Sequence, residues 1–490
     1  MKSRDEIRIA VLDIGTSNIR ASSVDSHGQI ISEFRTKFTP ISPTRGFVEF
    51  DAEKLFQNSI YLLDKILSEQ NCSALAITNQ RASTVVFDPA TLVPVCMGQS
   101  WQDLRTAPMC LALKSSGITL SPNQSAPKIS LAMDLFDKDR QLGLAGGTID
   151  AWMCYRLTGT FATDHTNVAM TGLVEPNATK IDRNVLSKLH IPEESIPQIR
   201  PSIGEFGLAR IGGFGIPLMA MMGDQQASML GQGITVPGRA KATFGTGAMV
   251  DLVTGEKGPS TTGKLRNGTI PIVARSDRTG LLFGLEAIGL HAGSAVEFAC
   301  HSLGLAPDPA SLGKYAANST IDSSAIFVPA LTGLATPYWD FGALACFAGL
   351  THATSRSDLA MAVIIGIAHM GADLIEAIEA DSGARLDSIS VDGGMTHSKL
   401  FLQQLSNLNQ KRLAVSSANE ATTLGAGFAA LLALGVLDDV ESIDEYIKPN
   451  FLIEPDPAFD NVLLRKSREH WRRAVEMSLN SIPELSSVTF

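Results

Sequence analysis

A carboxylate and two glycine-flanked hydroxyl turns are the residues of this chain best equipped for chemistry. Asp224 comes directly after an apolar run (Ile216, Leu218, Met219, Ala220, Met221, Met222) and Gly223, which is how a buried strand ends when it presents a carboxylate at its tip. Shortly afterwards a second apolar stretch breaks into Phe244-Gly245-Thr246-Gly247. Glycine tolerates positive φ and lets backbone N–H groups approach an anion closely. Gly245, Thr246 and Gly247 are therefore a candidate phosphate cradle, close in sequence to a candidate base. Near the amino end, Asp13-Ile14-Gly15-Thr16-Ser17-Asn18 again sets an acid, a glycine and hydroxyls behind an apolar run. Taken singly, each such motif is more often a structural turn than a site.

Positioning these groups takes a buried scaffold, and the surrounding pattern describes one. Ile7–Leu12 is nearly continuous apolar sequence, the mark of a strand covered on both faces. Arg20–Val24 and Gln29–Thr36 read as the next two strands, joined by tight turns. Asp51 is placed to cap a helix through about Leu67, with Leu55, Ile60, Leu63 and Ile66 at helical spacing. Ala74–Thr78 is a buried strand, Val85–Phe87 a shorter one and Thr148–Leu157 a helix, so strands and helices alternate as in an α/β domain with ligands at strand ends. Strand, Gly-Thr turn and strand recur at Ala240–Val253, with helices expected at Gly293–Ser302 and Leu359–Glu379. Ser388–Val391 runs into Asp392-Gly393-Gly394, and Glu420 opens a helix of small residues able to pack very closely. Two related halves, 1–236 and 237–490, are the simplest reading.

Bulk properties exclude several classes. There are 50 acidic against 40 basic residues, a net charge of −10, and no Lys/Arg run, so neither nucleic acid nor an anionic membrane is an expected partner. The cysteines Cys72, Cys96, Cys110, Cys154, Cys300 and Cys346 are scattered, without a Cys-x-x-Cys pair, and read as buried thiols in a reducing compartment. The apolar run before Asp13 is too brief for a signal-peptide core. Ala362–Ala372 and Gly427–Leu437 fall short of the ~20 residues that span a bilayer. A cytoplasmic enzyme is the expectation.

With those stretches in hand, the chain resembles the FGGY carbohydrate kinases, and among them the glycerol kinases most. The blocks that carry the resemblance run in order through the chain: Asp13-Ile-Gly-Thr-Ser17, Ile77-Thr-Asn-Gln-Arg81, Trp101-Gln-Asp-Leu-Arg-Thr-Ala107, Thr163-Asp-His-Thr-Asn167, Gly223-Asp-Gln-Gln-Ala227 and Thr243-Phe-Gly-Thr-Gly247. They continue through Phe327–Gly333, Pro337-Tyr-Trp-Asp340, Val391-Asp-Gly-Gly394 and Leu424-Gly-Ala426. The resemblance implies two actin-like (ribonuclease H-like) α/β domains around a central cleft. ATP would lie on the carboxy-terminal side and a small polyol or sugar mainly on the amino-terminal side, with a homodimer left open. It implies that Asp224 is the general base, that Asp13 holds Mg²⁺, and that Gly15, Thr16, Ser17 and Arg20 approach the transferred phosphate. Gly245, Thr246 and Gly247 would form the second phosphate loop, and Gly333, Gly393, Gly394 and Met395 would flank the adenosine. Arg81, Ala82, Trp101, Asp103, Asn123, Gln225 and Met249 would join Asp224 around the acceptor.

That acceptor wall departs from glycerol kinases. A glutamate after the arginine is here Ala82, a pocket tyrosine corresponds to Asn123, and a phenylalanine after the second phosphate loop is Met249. Leu131 stands where the signature after Lys128 has tryptophan, Ile365 replaces an acid, and Ser398 replaces an asparagine near the adenine. Losing the glutamate alone removes a charged hydrogen-bond partner worth roughly 1.5–3 kcal/mol, about 10- to 150-fold in binding. The expectation is an acceptor larger than glycerol; glycerol itself, held through shifted side chains or water, is the alternative. An acceptor-independent actin-like ATPase would have no use for the wall at Asn79–Arg81 and Trp101–Asp103. A degenerate, non-catalytic member would not need Asp13, Thr16, Asp224 and Gly245–Gly247 together.

Overall fold

The computed structural model describes residues 6–261, 263–319, 324–417 and 420–488. The first half builds a six-stranded sheet from β1 (Arg8–Ile14), β2 (Asn18–Asp25), β3 (Ile30–Lys37), β4 (Ala74–Asn79), β5 (Ile203–Ile211) and β6 (Phe214–Gly223), in the order β5-β6-β4-β1-β2-β3. β1, β2 and β3 form an antiparallel meander, while β4 and β6 run parallel to β1. The second half builds a seven-stranded sheet from β7 (Ala240–Phe244), β8 (Ala248–Gly255), β9 (Ile270–Asp277), β10 (Gly280–Gly289), β11 (Ser388–Asp392), β12 (Arg412–Ser416) and β13 (Pro449–Ile453), in the order β9-β10-β8-β7-β11-β12-β13. Again a first strand pairs antiparallel with its successor and parallel with β11, which is parallel to β12. Both halves thus repeat one plan. The two Gly-Thr turns, 15–16 and 245–246, occupy the same hairpin of each.

Helices α1 (Ala52–Glu69), α2 (Ser125–Phe136), α3 (Ile149–Thr158), α4 (Asp224–Gly231), α5 (Gly293–His301), α6 (Arg356–Ser382) and α7 (Ala421–Ala433) flank the sheets. Asp51 caps α1, accepting from Lys54 N–H at 2.9 Å, and Gly159 ends α3 with φ 75. Ala10 and Leu12 of β1 pack with Leu55 and Leu63 of α1 and Trp152 of α3. Ile9 and Val11, one residue out of phase, pack on the other face with Leu230 of α4 and Phe428 of α7. Coverage on both faces is why β1 reads as continuous apolar sequence.

α7 belongs to the second half by sequence, yet it lies on the first sheet. The apolar side chains of α7 and of Leu437 and Ile443 complete the first core. Ala362–Ala372 also needs correction. It lies inside α6, a helix of 27 residues that is apolar and long enough to cross a bilayer by length and composition. Here α6 is the core helix of the second half, with 83% of its apolar window buried.

Candidate active site

The carboxyl ends of β1, β4 and β6 come level, since Ile14 and Gly223 are both register partners of Asn79. The next residues, Gly15, Gln80 and Asp224, therefore leave the sheet at one place. Gln80 Nε2 donates to the Gly15 carbonyl at 3.3 Å. Asp224 is the first residue of α4, accepts from Gln225 N–H at 2.8 Å, and keeps 29% of its side chain exposed. Desolvation at this corner raises its carboxyl above the usual range, and Arg81, with Nε 3.7 Å from Oδ1, offsets part of the rise.

Asp13 faces the same space. Burial pushes it up to about 7, with the charges of Asp224 and Glu33 adding to the rise and Arg20 opposing it. Asp13, with the Asp224 carboxylate close enough to raise it, suits a divalent cation bound by one or two carboxylates plus phosphate. Asp13 therefore fits a Mg²⁺ that would neutralise the phosphates of ATP, either directly or through water. Arg20 lies across the hairpin from Asp13, but its guanidinium pairs with Glu33 and Glu420.

In the second half, Ala292 N–H and Gly293 N–H, at the start of α5, donate to the carbonyls of Thr246 and Gly245 at 2.9 and 2.8 Å. With its carbonyls turned onto that helix, the turn offers an anion its amide edge and the exposed Thr246 hydroxyl. A Cβ on Gly247 would meet the Gly289 carbonyl at 2.7 Å, so only glycine fits there. Gly393 has φ 93, and a Cβ on it would meet the Phe244 carbonyl at 2.4 Å. This close approach sets the Gly393–Gly394 turn directly against the second phosphate loop. Gly333 has φ 97 and lies against the Phe341 backbone, whereas Gly394 has open space beside it. Met395 is 8% exposed and packed in the second core. Ser398 caps the helix that follows, accepting from Phe401 N–H at 3.3 Å.

The acceptor wall is braced from behind. Lys128 on α2 is fully buried, and its Nζ donates to the carbonyls of Ala82, Ser100 and Asn123 at 3.2, 2.8 and 2.8 Å. Burial pulls its ammonium down to about 7. One side chain thus ties together the loops of Ala82, Trp101 and Asn123. Asn123 Nδ2 donates to the Trp101 carbonyl at 2.8 Å, and Trp101 Nε1 donates to Thr16 Oγ1 at 3.1 Å, joining the wall to the first phosphate turn. Ala82 holds a positive φ of 58 and brings no polar side chain. Asp103 departs from its expected role. It has no exposure, and its oxygens accept from Val48 N–H and from the backbone and guanidinium of Arg105, leaving nothing for a ligand. Arg81 is also engaged: Nη2 donates to Glu286 Oε2 at 2.6 Å across the two halves. Gln225 Oε1 accepts from Lys241 Nζ at 2.9 Å, and Met249 lies half-buried on β8.

Lys241, Asp251, Glu286 and His291 carry no motif that singles them out, and Lys128 entered only as a place marker in a signature. His291, pulled below its usual range by burial, hydrogen-bonds Ser294 at 2.9 Å and Thr332 at 2.8 Å, and so links the two nucleotide-side loops. Only a charged residue inside an otherwise apolar strand, as at Lys241, Asp251 and Glu286, could have flagged the set.

Comparison with known proteins agrees with this geometry. Residues 8–231 match the N-terminal domain, and residues 240–434 the C-terminal domain, of the FGGY family of carbohydrate kinases. A glycerol kinase of Shewanella amazonensis is 31% identical over 503 residues, covering 97% of this chain and 100% of the relative. One of Thermoanaerobacter pseudethanolicus is 31% identical, covering 96% and 98%. Among solved structures, Plasmodium falciparum glycerol kinase with ADP superposes with a TM-score of 0.89 at 25% identity, covering 97% of this chain and 98% of that one. A ligand-bound xylulose kinase from Lactobacillus acidophilus shares the fold with a TM-score of 0.85 at 19% identity, covering 96% and 97%. A repeated actin-like plan, phosphate turns in matching hairpins and family matches across both halves have one meaning: this chain belongs to the FGGY family of carbohydrate kinases, which phosphorylate a polyol or sugar with ATP.

Proposed function

We propose that the acceptor is a polyol or sugar longer than glycerol, with Asp224 as the base that takes its hydroxyl proton and Asp13 as the Mg²⁺ ligand. In this reading an acceptor hydroxyl lies between the Asp224 carboxylate and the γ-phosphate held by the Gly15–Ser17 and Gly245–Gly247 turns. As the hydroxyl oxygen bonds to the γ-phosphorus and the bond from that phosphorus to ADP breaks, the hydroxyl proton passes to Asp224 and the amides of the turns take up charge on the transferred group; a Mg²⁺ held by Asp13 would supply further charge neutralisation. A carboxylate raised by burial yet still ionisable suits a base, because it binds a proton more readily than an exposed acid.

The observation that carries the acceptor reading is the make-up of the wall facing Asp224. Ala82 contributes no polar side chain and Asp103 is consumed by Arg105. Arg81 is shared with Glu286 and Asp224, and the remaining groups are the Trp101 ring, the Asn123 amide and Met249. Asn123 Oδ1 accepts from Ser121 Oγ at 3.0 Å and Nδ2 donates to the Trp101 carbonyl, so one lone pair and one N–H remain for an additional hydroxyl or a keto oxygen. Glycerol is the second reading, favoured by relatives that are glycerol kinases. A coupled ADP assay over glycerol, tetritols, pentitols, pentuloses and hexuloses separates the two. The expected result is kcat/KM for glycerol well below that for a longer acceptor; glycerol as the best substrate would overturn it. ADP release without any acceptor would point to an ATPase instead.

A further inference from the structure

Four polar residues form one row across neighbouring strands of the second sheet. Asp251 on β8 is the register partner of Glu286 on β10 and of Lys241 on β7, and Lys241 is the partner of Ser390 on β11. Directly paired residues project from the same face of a sheet. Three members of the row reach into the first half. Glu286 Oε2 accepts from Arg81 Nη2 at 2.6 Å, Lys241 Nζ donates to Gln225 Oε1 at 2.9 Å, and Ser390 Oγ donates to Gln232 Oε1 at 2.7 Å. Asp251 stays within its own sheet and pairs with Lys241 at 2.9 Å. Glu286, Asp251 and Lys241 have no exposure at all.

Two of these three contacts lead to Asp224. Arg81 stands 3.7 Å from its Oδ1, and Gln225 is the next residue in α4. Burying three charges costs desolvation that their mutual attraction offsets only in part. Glu286 Oε1 and Arg81 Nη1 are also buried without a hydrogen-bond partner, so stability alone does not account for the row. Placement does, because these are the points where the half carrying the second phosphate loop touches the groups flanking the base.

We propose that Glu286 is a positioning residue for phosphoryl transfer, which grips Arg81 from the opposite half and so aligns Asp224 with the acceptor when the halves are seated on each other. The inference rests on the reading of Asp224 as the base. Its measure is steady-state kinetics of wild type, Glu286→Gln, Arg81→Ala, their double variant and Asp224→Asn, with melting temperatures alongside. Glu286→Gln should lower kcat by roughly 10- to 100-fold, the range expected for a small misplacement of a reacting group. It should raise KM for the acceptor and leave KM for ATP within about twofold. On the Arg81→Ala background it should add little, because the two side chains act as one unit.

Unchanged kcat and acceptor KM in Glu286→Gln would overturn the proposal. So would effects that multiply with those of Arg81→Ala, or a parallel loss of ATP affinity and melting temperature. If the Gln variant does not fold, Glu286→Asp carries the same test, with the same split at smaller amplitude. Asp224→Asn that keeps its turnover defeats the base reading, whereas loss there with a normal Glu286→Gln defeats this inference alone.

Discussion

Asp13 is where burial and function oppose each other most directly. Its carboxyl is pushed from 3.8 to about 7, chiefly by burial. An acid whose folded pKa lies above its unfolded value favours the folded state when protonated. Its contribution is complete below about pH 4 and is lost as the pH climbs through 7. A metal must displace that proton, so Mg²⁺ should raise the melting temperature strongly above pH 7 and little below pH 6. Asp13→Asn should abolish the Mg²⁺ response and, without metal at pH 8, melt above wild type because it buries no charge. A Mg²⁺ effect that is flat with pH would exclude Asp13 as ligand. Asp224 makes a different demand. Asp224→Asn keeps shape and hydrogen bonding but cannot take a proton, so turnover should fall by roughly 10²–10⁴-fold with ligand binding nearly unchanged. Turnover within a few-fold of wild type would remove Asp224 from the chemistry.

At the scale of elements, the decisive feature is the crossing of α4 and α7. A Cβ on Gly425 would lie 1.7 Å from the Ala227 carbonyl, and one on Gly231 would lie 1.9 Å from the Ala421 carbonyl. The two helices touch backbone to backbone, and α4 is the helix that carries Asp224. In a free helix Gly→Ala gains about 1 kcal/mol. Here overpacking should reverse the sign, so Gly425→Ala is expected to lose about 1–3 kcal/mol in denaturant unfolding and to shift α4. Gly394→Ala is the matched control. It has open space and no positive φ, so stability should stay within about 0.5 kcal/mol of wild type. A destabilised Gly394 variant with a neutral Gly425 variant would reverse this account.

Over the whole molecule, the groups expected around the acceptor lie mainly on the first half and the glycines expected at the adenosine lie on the second, so the reaction requires the halves to come together. Water must also be excluded, or ATP would be hydrolysed. Polar contacts cross the seam, Arg81 with Glu286, Gln225 with Lys241, Gln232 with Ser390 and Asp392, beside apolar ones such as Met229 and Ile234 with Val253 and Ile272 and α7 on the first sheet. Small-angle scattering should therefore show a smaller radius of gyration with a nucleotide analogue plus acceptor than with neither. An unchanged value would mean that the halves do not close on ligand.

Local sequence was enough to place the strands, the cap at Asp51, the Gly-Thr turns and Asp224 at the strand-to-helix corner. Each of these is dictated by neighbours in the chain: hydrophobic periodicity, glycine φ, a capping carboxylate. The halves repeat one plan because the same local pattern was written twice. Partnership between distant side chains was not legible. Nothing near Asp103 in sequence says that its oxygens are spent on Arg105 and Val48, or that Arg20 faces Glu420. Lys128 reads as an ordinary charged helix residue until three carbonyls from separate loops converge on it. The row from Glu286 to Ser390 exists only once β10, β8, β7 and β11 are in register, because cross-strand neighbours are set by sheet order and not by spacing along the chain. The placement of α7 on the first sheet has the same origin: its apolar stripe is visible in the sequence, but which core it completes is decided by the packing of the halves.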